Sequence, residues 1–163
     1  MAVNTEIYVA GSGQGLTWGN AFSSATLASL AAANGIVSDI IVDNGTALDI
    51  FADVSLRVAG GLTGGTPAVP NYVALFIYPL NQDNSTYGDG RFATATGVAP
   101  PGQYWVGNFQ ITTTTGSDQE GMVRGIIMPP GKFKFLIYLA FATANFPASG
   151  VTCLYRTYNR KIS

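Results

Sequence analysis

From Thr46 to Val58 the chain alternates with a period of two: Thr46, Leu48, Ile50, Ala52, Val54, Leu56 and Val58 fall on one side, Ala47, Asp49, Phe51, Asp53, Ser55 and Arg57 on the other. This spacing predicts a long half-buried strand with its charges on the outer face. Further β-type runs are predicted over 71–78, 103–114, 121–128, 133–143 and 151–162, with shorter ones over 36–42 and 5–9, for a total of about eight. Between them stand turn formers: Gly60-Gly61, Gly64-Gly65, Asn84 to Gly90, Pro100-Pro101-Gly102, Gly116-Ser117-Asp118, Pro129-Pro130-Gly131 and Pro147 to Gly150. Strands separated by such clusters predict an all-β fold, an antiparallel β-sandwich or barrel, and give no support to a βαβ enzyme fold.

One helix is predicted over Ser23 to Gly35, capped by Ser23 or Ser24, with Leu27, Leu30 and Ala31 at helical spacing and Asn34-Gly35 as its stop. Ahead of it, Ala10 to Asn20 carries Gly11, Gly13, Gly15 and Gly19 among Ser, Gln and Thr, a composition that reads as an extended arm. The expected organisation is therefore an N-terminal arm, 1–20, followed by a single β-sandwich domain, 21–163.

Some strands are apolar on both faces. Tyr72, Ala74, Phe76 and Tyr78 alternate with Val73, Leu75 and Ile77, and opposite the core set Phe133 to Phe141 stand Leu136, Tyr138 and Ala140. Neither face of such a strand suits water, so a second cover is required. It is either the arm, the helix or a long loop of the same chain, or a subunit interface.

Charge sharpens the second possibility. Eight Lys+Arg and nine Asp+Glu make 10% charged residues, where about 25% is typical. The net charge of −1 supplies no basic field for nucleic acid. The chain has no histidine and one cysteine, which excludes the usual zinc sets, Ser-His and Cys-His nucleophile pairs and an internal disulfide framework. Cys153, in Val-Thr-Cys-Leu-Tyr, reads as a buried strand thiol. Met1 to Glu6 lacks the basic and apolar regions of a secretory signal. Phe135 to Phe146, the longest apolar stretch, falls short of the roughly 20 residues a membrane helix needs, so a soluble protein is expected. Asn44-Gly45-Thr46 and Asn84-Ser85-Thr86 are read as turns.

Candidate chemistry is thin. Gly11-Ser12-Gly13-Gln14-Gly15-Leu16 breaks the phosphate-loop spacing at its third glycine, and Gly125 to Lys132 puts Phe133 where a Mg²⁺-binding hydroxyl belongs. Asp83 to Gly90 offers hard oxygen ligands but puts Tyr87 in a ligand slot and Thr94 where a calcium loop closes with Glu. Asp49 and Asp53 share a strand face roughly 13 Å apart, too far for glycoside hydrolysis, and are read as serving solubility and pairing with Arg57. Trp18, Tyr87, Tyr104 and Trp105 sit near turns, where aromatics could stack on sugars or fill cores. Arg156, Arg160 and Lys161 gather positive charge at the C-terminal strand, facing either solvent or an acidic partner.

Asn71-Tyr-Val-Ala-Leu-Phe-Ile-Tyr-Pro-Leu-Asn-Gln-Asp-Asn-Ser-Thr-Tyr-Gly-Asp-Gly90 resembles a pattern in structural proteins of tailed double-stranded DNA bacteriophages. In these, an apolar strand ends in a Tyr-Pro-Leu or Tyr-Leu-Pro step and enters an Asp-x-x-x-Tyr-x-Asp-Gly turn. Asn84 stands where that turn is expected to have Gly, and it too tolerates positive φ. The preceding strand, Thr46 to Val58, and the Pro129-Pro-Gly-Lys-Phe-Lys-Phe135 turn into a late strand extend the likeness over about residues 36 to 162. The resemblance implies a jelly-roll sandwich that decorates or cements the outer surface of a phage capsid. It implies partners in the major capsid protein and in further copies of itself, as a dimer or trimer, and it supplies no catalytic residue, metal or cofactor. The contacts expected from this reading are Leu16 and Trp18 of the arm, Tyr72 and Tyr138 of the doubly apolar strands, and Arg156 and Arg160. A virion protein of this kind is made in the host cytoplasm and contacts neither nucleic acid nor membrane. The alternatives are a tail or baseplate protein, or a carbohydrate- or receptor-binding module in which Trp18, Tyr87, Tyr104 and Trp105 line one groove.

Overall fold

The computed structural model describes residues 6–10, 17–64, 72–81, 102–111 and 116–162, and of 6–10 and 160–162 the backbone. Its strands are β1 (Glu6–Ala10), β2 (Gly19–Asn20), β3 (Gly35–Val37), β4 (Val42–Asp43), β5 (Phe51–Val58), β6 (Tyr72–Pro79), β7 (Trp105–Phe109), β8 (Gln119–Ile127), β9 (Lys132–Ala140) and β10 (Val151–Ile162). One helical turn, α1 (Ser24–Leu27), and one 3-10 turn, Gly102–Tyr104, accompany them. All pairings are antiparallel. One sheet runs β1-β10-β5-β8, with β2 also on β10, and the other runs β3-β9-β6-β7, with β4 also on β9. Two packed antiparallel sheets make a β-sandwich, and the winding that sets the first strand beside the last is jelly-roll-like.

The core is the alternation made solid. Ala52, Val54, Leu56 and Val58 of β5 are fully buried against Phe133, Phe135, Ile137 and Leu139 of β9, with Val73 and Leu75 of β6 and Val151 and Cys153 of β10 beside them. Burial makes ionisation of the Cys153 thiol unfavourable and raises its pKa. A second, smaller cluster lies on the far side of the β6/β9 pair: Val37, Ala74, Phe76, Tyr78 and Leu136 are buried there, with Tyr72, Tyr104 and Tyr138 packed around them. Part of the cover the sequence demanded comes from the 3-10 turn, whose Tyr104 ring lies 4.6 Å from that of Tyr78. The helical segment instead feeds the main core through Phe22, Leu27 and Leu30.

Several predicted elements are shorter than expected: the 103–114 run has its strand at Trp105–Phe109, after the 3-10 turn that takes Gln103 and Tyr104, and the 36–42 run divides into β3 and β4. The strand predicted from Thr46 starts only at Phe51, because Asn44 folds the chain back on itself. Its Oδ1 accepts from Asp49 N–H at 2.8 Å, and its amide donates to the Asp49 and Pro129 carbonyls at 2.9 and 3.1 Å. Leu48 takes φ 48° in this turn, so Leu48 and Ile50 leave the core face and are exposed. The predicted helix ends after one turn because tertiary partners claim its backbone. Ser29 N–H donates to Pro147 O, Ala32 N–H to Asn145 Oδ1 and Ala33 N–H to Leu139 O, with Ser29 and Ala33 at positive φ. Ser23 occupies the N-cap position, yet its hydroxyl bonds Thr26 Oγ1 at 2.8 Å.

Where the β7 and β8 edges meet, the sheets approach closely. A Cβ on Gly107 would lie 2.5 Å from Cγ1 of Val123, and one on Gly121 would lie 3.1 Å from Cβ of Phe109. Gly107→Ala should lower stability by about 1–3 kcal/mol through overpacking, read as a lower urea midpoint at unchanged slope. Cys153 should resist a thiol-modifying disulfide reagent in the native protein and react at once in denaturant, because only the exposed thiolate attacks.

Candidate functional site

Exposed aliphatic side chains gather at one end of the sandwich. Ile41, Leu48, Ile50 and Ile127 are 45%, 61%, 52% and 74% exposed. Local geometry, not chance, brings them out. The Asn44 amide ties the 44–49 turn to Pro129, Met128 N–H donates to Ile50 O at 3.0 Å, and Ile127 stands opposite Phe51 in register. Beside them an open apolar trough of about 470 Å³ is lined by Ile77, Pro79, Val106, Ile127, Pro129 and Pro130, among others. The charged pair near this end, Lys132 with Asp43 at 3.7 Å, is solvent-exposed and contributes little. The surface offered here is branched aliphatic and proline, which suits contact with another apolar surface.

The outer face of the β1-β10-β5-β8 sheet is organised around Asp53. Between Ala52 and Val54 the β5/β8 register shifts, with Arg124 and Gly125 both opposite Asp53, and Gly125 takes φ 66°, a bulge that turns its N–H aside. That N–H donates to Asp53 Oδ1 at 3.0 Å, as does the Tyr158 hydroxyl at 3.0 Å. Arg156 donates to Oδ2 through Nε at 3.1 Å and Nη2 at 2.9 Å, and its guanidinium lies 4.8 Å from the Trp18 ring centre. Burial opposes ionisation of Asp53, but the Gly125, Arg156 and Tyr158 hydrogen bonds and the Arg156 charge prevail and hold its pKa below the ordinary carboxylate value.

These contacts revise the sequence reading of the charges. Asp53 is buried, not on a solvated face, and its partner is Arg156, because the β5/β10 register sets the two directly opposite. Arg57 stands four residues further along β5 and pairs with Asp118 at 2.6 Å. Asp49 is also buried, in a cleft of about 290 Å³ shared with Asn44 and Thr157. Its Oδ1 accepts from the Asn159 amide at 3.1 Å.

The six expected contact residues do not converge on one site. Tyr72 and Tyr138 share the outer face of the β3-β9-β6-β7 sheet, where they line a groove with Trp105 and Asn108. Trp18 and Arg156 stack on each other on the opposite sheet. Arg160 lies in β10 opposite Tyr8, and Leu16 falls outside the described residues, as do Tyr87 and the Asp83–Gly90 turn. The four turn aromatics therefore do not share one groove: Trp18 and Trp105 are on different sheets, and Tyr104 packs on Tyr78. Among the described residues no three of Asp, Glu, His and Cys gather as a metal site. Sequence reasoning missed Leu48, Ile50 and Ile127 as surface. The available signal was Asn44-Gly45, a turn pair directly ahead of the alternation. No protein-family model matches the chain, and no curated protein or solved structure matches it closely.

The Asp53 network predicts a pH response. A carboxyl held low in the folded state stabilises fully above its unfolded value near pH ~4 and loses that contribution as pH falls through the folded value. Asp53→Asn should cost about 1–3 kcal/mol at neutral pH and flatten the loss of stability below pH ~4, measured by urea denaturation across the acid range.

Proposed function

We propose that this protein is an adhesive structural component of a tailed-phage virion, binding the outer surface of the capsid and stabilising its lattice without chemistry. The observation that carries the reading is the exposed aliphatic end of the sandwich, Leu48, Ile50 and Ile127 with the Pro129-Pro130 trough, on a chain with few charges. Such a surface adheres by burying apolar area, and its loops are held in place by the Asn44 crosslinks, which limits the ordering cost of contact. The resemblance of Asn71 to Gly90 to phage structural proteins supplies the context, and the jelly-roll-like sandwich is in keeping with it. The partners are the major capsid protein and further copies of this chain. Several weak contacts from one oligomer add by avidity on a repeating lattice.

The test mixes the purified protein with phage heads stripped of it, pellets the heads and counts bound copies. Saturation at a number commensurate with icosahedral symmetry is expected, and no pelleting above background overturns the reading. Ile127→Asp combined with Leu48→Asp should leave the melting transition within a few degrees of the parent while reducing head binding by about tenfold or more. The expected arm contact is tested with Leu16→Asp rather than by deleting 1–20, because deletion would also remove the pairing of β1 and β2 with β10.

A further inference from the structure

The outer face of the β3-β9-β6-β7 sheet holds a groove of about 390 Å³ with Ala74 and Phe76 at its floor and Tyr72, Tyr138, Trp105 and Asn108 around it. The ladder shapes it. Tyr138, Ala74 and Asn108 lie side by side across β9, β6 and β7, so a methyl group between two larger side chains leaves the low point. The two flanking strands stand about 9.5 Å apart, two strand spacings. Trp105, opposite Phe76 in the next row, is 51% exposed. Its Nε1–H donates to Asn108 Oδ1 at 2.9 Å, which holds the indole in one orientation beside the groove, so little ordering remains for a ligand to impose.

We propose that this groove binds a neutral glycan, with the C–H face of a sugar ring on Trp105 and its hydroxyls toward the Tyr72 and Tyr138 phenols and the Asn108 amide. Flat apolar rings edged by hydroxyl and amide groups match a ligand that is itself apolar on its faces and hydrogen-bonding at its rim. No charged side chain among the described residues lines the groove, so a charged ligand would lose its water without gaining a counter-charge. The volume falls within the range of small-molecule sites. A second copy of the chain is the poorer occupant. Ala74, Phe76, Tyr78 and Leu136 are already 5% exposed or less, so the centre of this face adds almost nothing to the roughly 800 Å² per partner that a stable dimer buries.

The chain has two tryptophans, so in the full-length Trp18→Phe protein the indole emission reports on Trp105. It is titrated with maltohexaose, cellohexaose, chitohexaose and mannohexaose, with heparin as the charged comparison. A saturable emission change with at least one neutral hexasaccharide, and none with heparin, is expected. Calorimetry with that sugar should show binding weakened about tenfold or more by Trp105→Ala, partly retained by Trp105→Phe, and lost in Ala74→Val, which fills the floor; unchanged melting of Trp105→Ala confirms its fold. Absence of a saturable response to every neutral sugar at millimolar concentration overturns the proposal, as does undiminished binding by folded Trp105→Ala. So does a concentration-dependent dimer, by analytical ultracentrifugation, that Trp105→Ala abolishes. The groove and the Pro129-Pro130 trough have no lining residue in common among the described residues, so Trp105→Ala should still bind heads, and the two readings stand or fall separately.

Discussion

Each long strand of this chain buries alternate side chains against the opposite sheet, and a pleated strand that does so must send its remaining side chains to the far face. The inward set is uniform: Val54 and Leu56 of β5, Phe133 and Phe135 of β9, Leu75 of β6 and Cys153 of β10 are fully buried or nearly so. Everything distinctive about the molecule lies in how it handles the outward set. With so few charges in the chain, neither outer face could be made wet throughout.

The two sheets solve this differently. On the β5/β10 side one buried carboxylate is made tolerable by three donor residues on the two neighbouring strands, Gly125 of β8 and Arg156 and Tyr158 of β10, and the arginine that pairs with it is stacked under Trp18. A buried charge satisfied this fully is compatible with stability, whereas removing either partner leaves the other uncompensated. On the β6/β9 side the outward residues are aromatic and aliphatic, and Tyr104 covers part of them. What the cover leaves open is the groove beside Trp105. The end of the sandwich handles its apolar residues by a third route, leaving Leu48, Ile50 and Ile127 in solvent. Of the three, this end is the one with exposed aliphatic area to offer a partner surface.

Much of the fold was legible. The runs that became β6, β8, β9 and β10 were predicted within a few residues, because period-two alternation and the Pro-Gly and Gly-rich turns between them are properties of short stretches of chain. The errors share a cause. Alternation from Thr46 onward was real, but one asparagine side chain took the backbone of Asp49 and turned the first part of the run into a loop. Ser23 to Gly35 had helical spacing, yet carbonyls at Leu139 and Pro147 outbid the helix for its backbone donors. The candidate site was less legible, since Tyr72 and Tyr138 were found together while Trp18 and Arg156 joined a different face.

By itself, then, the sequence determined the all-β class, the places of the principal strands and the burial of Cys153, since each follows from residue type and local period. Only the tertiary structure decided that Asp53 meets Arg156 and not Arg57, that Leu48 and Ile127 face solvent, and that Trp105 rather than Trp18 joins the two tyrosines. The Asp53 and Trp105 outcomes depend on register between strands up to about a hundred residues apart, such as β5 with β10, and the exposure of Leu48 on the Asn44 turn and its tie to Pro129. A shift of one residue in that register would send every side chain to the other face, and nothing local in the chain records which register the packed core will select.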